Sequence, residues 1–171
     1  MSPSELRSEL ARAGIGLFVP AARRPAPSPA ELVRLVTALL TSRDPRLVAS
    51  VPCLLALHDR SAVEVAESAA RTLDESHVAR LGLLYRLARA LAVSRGPALA
   101  HLLGRPREIA ASRIEPTELP SPEAELGERC LAVARELHED DPEGNLVGDV
   151  EDLFDTWLRL AAAERSERAP A

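Results

Sequence analysis

Ser28-Pro29-Ala30-Glu31-Leu32-Val33-Arg34-Leu35-Val36-Thr37-Ala38-Leu39 holds a helix start and a helix face in one short stretch. A serine followed three residues later by glutamate reads as a capping box. The hydroxyl takes one orphan N–H, and the carboxylate reaches back to the serine N–H. Pro29 stands at the first helical position, where a missing N–H costs nothing. Leu32, Leu35, Val36 and Leu39 then recur at the helical period and make one face apolar.

The same signals repeat outward from this stretch. Ser2-Pro3-Ser4-Glu5 and Ser61-Ala62-Val63-Glu64 read as two more capping boxes, and Asp44-Pro45 and Ser121-Pro122-Glu123 as further starts. Leu47, Val48, Val51, Leu54 and Leu55 form a stripe in which Pro52 predicts a kink or a restart. Val63, Ala66, Ala69, Ala70 and Leu73 form a small-residue face. Leu81, Leu84, Tyr85, Ala88, Leu91 and Ala92 form another stripe. Leu83 and Leu87 lie off it, which predicts that this helix is apolar on most sides and central. Leu126, Cys130, Val133, Ala134 and Leu137 follow, then Val150, Leu153, Phe154, Trp157, Leu158 and Ala161. The expectation is an all-α, compact multi-helix bundle of at least six helices, with HEAT-like helix pairs as one form it could take.

Two segments break the pattern. Gly14–Pro27 reads as an extended arm, anchored by Phe18 if it docks. Gly104–Pro122, with four prolines, reads as a crossover or a linker. Charge changes sign there. Residues 1–113 carry 16 Arg against 10 Asp and Glu, a balance of +6; residues 114–171 carry 5 against 16, a balance of −11. The organisation expected is a basic helical core over 1–113 with an arm at 14–27. An acidic helical hairpin over 114–164 packs on the same domain, and a disordered tail covers 165–171.

Composition excludes some chemistry. All 21 basic residues are Arg, so no lysine Schiff base or P-loop lysine can form. Only Phe18, Tyr85, Phe154 and Trp157 are aromatic, which leaves packing to Leu, Val and Ala and suits close helices. Cys53 and Cys130 make no C-x-x-C pair. Met1–Arg12 is polar and amphipathic rather than a signal peptide, and no apolar run has the roughly 18–20 residues of a membrane span. These features predict a cytoplasmic bacterial protein with reduced thiols.

No motif fixes a reaction. His58-Asp59 matches the doublet of metal-dependent HD phosphohydrolases, but no His precedes His58, and its ring is expected at a helix C-terminus, bonding free carbonyls. His138-Glu139-Asp140-Asp141 reads as a solvated acidic turn. Placing Gly144 at the sixth position of a calcium loop puts Val150 where Glu is required. Arg95–His101 has the Arg-x5-His form that resembles HEPN-type ribonucleases. Gly96-Pro97 interrupts it, and the spacing recurs at Arg71–His77, as abundant arginine predicts by chance. Arg80, Arg86, Arg89 and Arg95, followed by Arg105, Arg107 and Arg113, with Arg23 and Arg24 in the arm, could meet phosphates. They are interleaved with acids and lack stacking aromatics. No catalytic residue, metal ligand or cofactor is assigned.

The last helix offers the clearest interaction surface. Phe154 and Trp157 share a face, and Glu151, Asp152 and Asp155 occupy the rest. Glu151, Asp152, Asp155 and Trp157 are the partner-binding candidates, with Trp157 expected to be mostly core. Ser42-Arg43-Asp44-Pro45-Arg46-Leu47-Val48-Ala49-Ser50-Val51-Pro52-Cys53-Leu54-Leu55-Ala56-Leu57 resembles a segment of small helical proteins encoded beside minimal nucleotidyltransferases. The likeness covers about residues 28–95. HEAT-type helix pairs begin in the same way. The resemblance implies a helical member that restrains or supports the enzyme, often as an antitoxin, and it carries over no catalytic residues. The expected function is a non-enzymatic accessory or antitoxin-like subunit that binds a protein with a basic surface, such as a nucleotidyltransferase. The alternative is a helical nucleic-acid-binding protein or a HEPN-like ribonuclease.

Overall fold

The computed structural model describes residues 1–18, 25–96, 98–99 and 145–168, with all their side chains except those of residues 79, 93, 94, 145–149 and 164–168. Several expectations lie outside the described residues: Arg23 and Arg24, His101, the Gly104–Pro122 crossover, the start at Ser121, the Cys130 stripe and the His138 turn. The described chain is all-α, with six helices and no strand: α1 (Pro3–Arg12), α2 (Pro29–Leu40), α3 (Pro45–Leu57), α4 (Asp59–Ala70), α5 (Glu75–Ser94) and α6 (Asn145–Arg168).

Two of the three capping boxes form. Ser2 Oγ accepts from the Glu5 N–H while the Glu5 carboxylate accepts from the Ser2 N–H, and Ser28 and Glu31 repeat the exchange. The third does not. α4 begins at Asp59, two residues before Ser61, and Ser61 Oγ instead bonds the His58 carbonyl at 3.2 Å. α3 and α4 abut across the single residue His58, whose backbone (φ −104°, ψ 36°) is not the extended form that an N-cap uses.

α3 is the centre of the molecule. It packs against each of the other five helices. Its residues Leu47 to Ala56 are all buried, Ser50 included. Ser50 is satisfied there by donating to the Arg46 carbonyl at 2.9 Å. Pro52 neither ends nor restarts the helix, which runs unbroken from Pro45 to Leu57. α5 was the expected centre. Its Leu81, Leu83, Leu84, Leu87 and Leu91 are buried, but Gly82 lies open to solvent.

The most extensive contacts join α3 to α5 and α2 to α4, helices two apart in the chain. This is the packing of two stacked helix pairs, α2–α3 and α4–α5. α6 lies on another side of α3, and α1 rests on α2 and α3. α6 continues to Arg168, past the end expected at Glu164. Ala161-Ala162-Ala163 favour helix, and the next breaker is Pro170.

Gly14 closes α1. Its φ is +100°, and the N–H groups of Gly14 and Ile15 turn back to the Ala11 and Leu10 carbonyls at 3.1 and 2.8 Å. This is a Schellman end, with buried Ile15 and Leu10 as its apolar pair. In the following arm Leu17 and Phe18 pack partly buried on the core, the Arg7 guanidinium lies 5.9 Å from the Phe18 ring centroid, and at the arm's far end Pro27 is buried while Pro25 and Ala26 are exposed.

Candidate functional site

α6 is two-sided by spacing. Val150, Phe154 and Trp157 are buried, and Leu158 and Ala161 are partly buried on the same side. Phe154 and Trp157 stack at a tilt with ring centroids 5.4 Å apart. Trp157 is 4% exposed, and its indole N–H donates to the Gly14 carbonyl at 2.9 Å. A buried indole needs such an acceptor, and the end of α1 supplies it.

The acidic candidates divide between two roles. Asp155 takes both sides of a fork from Arg95, with Nε and Nη2 donating to its two carboxylate oxygens at 3.0 and 3.1 Å. Glu151, one turn earlier, lies 3.7 Å from the same guanidinium. Arg95 and Asp155 are 28% and 39% exposed, so this contact is half-buried and ties α6 to the end of α5. Asp152 points elsewhere. It is exposed and has no ion-pair partner among the described residues. With Pro45, Arg46, Leu153 and Thr156 it lines an open cleft of about 430 Å³ between the start of α3 and α6. Leu160, a turn beyond Thr156, is 48% exposed. The spacing of the sequence pointed to the α6 residues; it held no signal for Arg46, which comes from a different helix.

The arrangements tested for chemistry go to separate uses. His58 Nε2 lies 2.9 Å from the Ala13 carbonyl, at the end of α1 rather than of its own helix. Asp59 faces Arg89 at 3.7 Å, so the doublet does not converge. Arg95 is held by Asp155. His77 Nδ1, the His77 N–H and Ser76 Oγ all meet Asp74 Oδ1, at 2.7, 2.9 and 2.8 Å. Ser76 and His77 thus share one carboxylate oxygen, an N-terminal cap for α5 and not a nucleophile–base chain. Those bonds, the His77 N–H first, hold the Asp74 carboxyl down to about 2.

Cys53 is fully buried, and burial pushes its thiol well above the ordinary range, which leaves it unreactive. A groove of about 500 Å³ between α1 and α2 is lined by Glu5, Glu9, Arg12, Glu31 and Arg34. Its carboxylates are already engaged: Glu5 by Ser2, Glu9 by Arg12, and Glu31 by Ser28 and Arg12. The Ser28 N–H and hydroxyl, then Arg12, hold the Glu31 carboxyl down to about 2. Among the described residues no group of three or more His, Cys, Asp or Glu is placed to hold a metal ion. No helix there is long and apolar enough to cross a membrane. Comparison of the chain with protein-family models, curated proteins and solved structures finds no match.

Proposed function

We propose that the chain is a non-enzymatic helical subunit that binds another protein through the acidic side of its C-terminal third. Its role is accessory or antitoxin-like, in the cytoplasm. The partner is an enzyme with a basic surface, and the likeness of Ser42–Leu57 supports a minimal nucleotidyltransferase. The observation that carries the reading is the −11 balance over residues 114–171. Its best-placed described member is Asp152, exposed beside the α3–α6 cleft. Opposed charge speeds encounter and excludes wrong partners more than it adds raw affinity. Glu151 and Asp155 contribute through Arg95 by fixing α6 in place, and Trp157 by seating it.

The test is association of the purified protein with the purified product of its neighbouring gene, by surface plasmon resonance. Asp152→Arg slows association and leaves the fold unchanged; absence of any complex rejects the reading. One observation favours a nucleic-acid partner instead. Arg34, Arg43, Arg46, Arg60 and Arg71 are exposed and have no carboxylate partner among the described residues. Retention of labelled RNA or duplex DNA at low salt, lost in Arg43→Ala/Arg46→Ala, selects that alternative. Its ribonuclease form also needs Arg95, which Asp155 holds.

A further inference from the structure

Two side-chain N–H groups from distant parts of the chain end on neighbouring carbonyls. His58, at the α3–α4 junction, reaches the Ala13 carbonyl through Nε2 at 2.9 Å. Trp157, in α6, reaches the Gly14 carbonyl through Nε1 at 2.9 Å. A carbonyl only accepts, so both ring nitrogens donate. Gly14 sets the direction of these carbonyls by its φ of +100°, and a Cβ at that position would stand 2.8 Å from Leu57 Cδ2. Any other residue there must displace the tip of the Leu57 side chain and adopt a φ that L side chains rarely take, which strains the end of α1.

We infer that the end of α1 and helix α6 form one cooperative latch over α3, in which docking of either supports docking of the other. The helices α2 to α5 also pack among themselves. α6 is seated mainly on α3; its further holds are Trp157 on Gly14 and the Asp155–Glu151 grip on Arg95. Loosening the Gly14 carbonyl removes one of those holds. Releasing α6 takes the indole donor from the α1 end. Coupling of this kind is reciprocal, and it opens part of a molecule below the threshold of global unfolding. The latch concerns the isolated chain and does not depend on a partner.

Amide hydrogen exchange on the full chain tests it from both sides. Trp157→Phe keeps a ring in the site and removes the N–H donor. The Gly14 and Ile15 amides, which close α1, then exchange about threefold to tenfold faster, the range for one lost hydrogen bond, while the α4 amides keep their rates. Gly14→Ala speeds the α6 amides around Phe154 by a similar factor and shifts the emission of Trp157, the sole tryptophan, to the red. Faster exchange confined to the substituted helix overturns the inference. So does an equal increase across α2 to α5, which marks global loss of stability. If Gly14→Ala does not fold, the Trp157→Phe exchange pattern decides alone.

Discussion

Gly82 sits on the open side of α5, and a Cβ added there meets nothing within 4 Å. A helical glycine in open space gives up stability through backbone entropy, so Gly82→Ala raises the unfolding free energy by about 0.5–1 kcal/mol in denaturant titration. Two aspartates three residues apart respond differently. Asp155→Ala removes the fork on Arg95 and lowers stability by roughly 1 kcal/mol, the upper end for an ion pair with solvent access. Asp152→Ala, at an exposed position, changes it by less than about 0.5 kcal/mol. Equal effects in the same titration would contradict the division of roles. That division is invisible in the sequence. Arg95 and Asp155 are separated by 60 positions and Trp157 and Gly14 by 143, and helical spacing informs only on neighbours one or two turns away.

Helix α2 was legible because its signals are local. The Ser28–Glu31 exchange and the apolar stripe each involve residues within one or two turns. Ser61–Glu64 has the same letters and fails, because α3 runs to Leu57 and α4 takes its start from that junction. The centrality of α3 was also within reach. Leu47 to Leu57 contains no charged residue, whereas the α5 stretch carries Arg80, Arg86 and Arg89. Counting stripes favoured α5; counting charges favours α3. The caps themselves titrate. Glu31 and Asp74 are both held at about 2, below their ordinary values near 4, because each accepts N–H bonds at a helix start. A carboxyl whose folded pKa is depressed adds stability above its unfolded pKa and loses it as pH falls through the folded one. Stability therefore declines between about pH 4 and about pH 2. Glu31→Gln, which cannot ionise, flattens that decline in thermal melts across the range; an unchanged slope would show that Glu31 contributes nothing to it.

At the scale of the whole molecule, the described helices form an all-α body in which two stacked pairs, α2–α3 and α4–α5, carry α1 and α6 on the flanks of α3. Apolar period and capping made the fold class readable; the order of stacking was not, since it depends on which faces meet across long separations. The charge split was readable from composition alone, and part of it is spent inside the fold, where Arg95 of the basic part holds Asp155 and Glu151 of the acidic part. What faces outward carries the proposal of a protein-binding subunit. The most direct measurement is the association rate with the purified neighbouring-gene product, for wild type and Asp152→Arg, from low salt to about 0.5 M. Screening shortens the reach of charge to a few ångströms over that range. The account predicts a rate that falls steeply with salt for wild type and starts lower, with a shallower slope, for Asp152→Arg. Identical rates and slopes for the two proteins, or no complex at any salt, would contradict it.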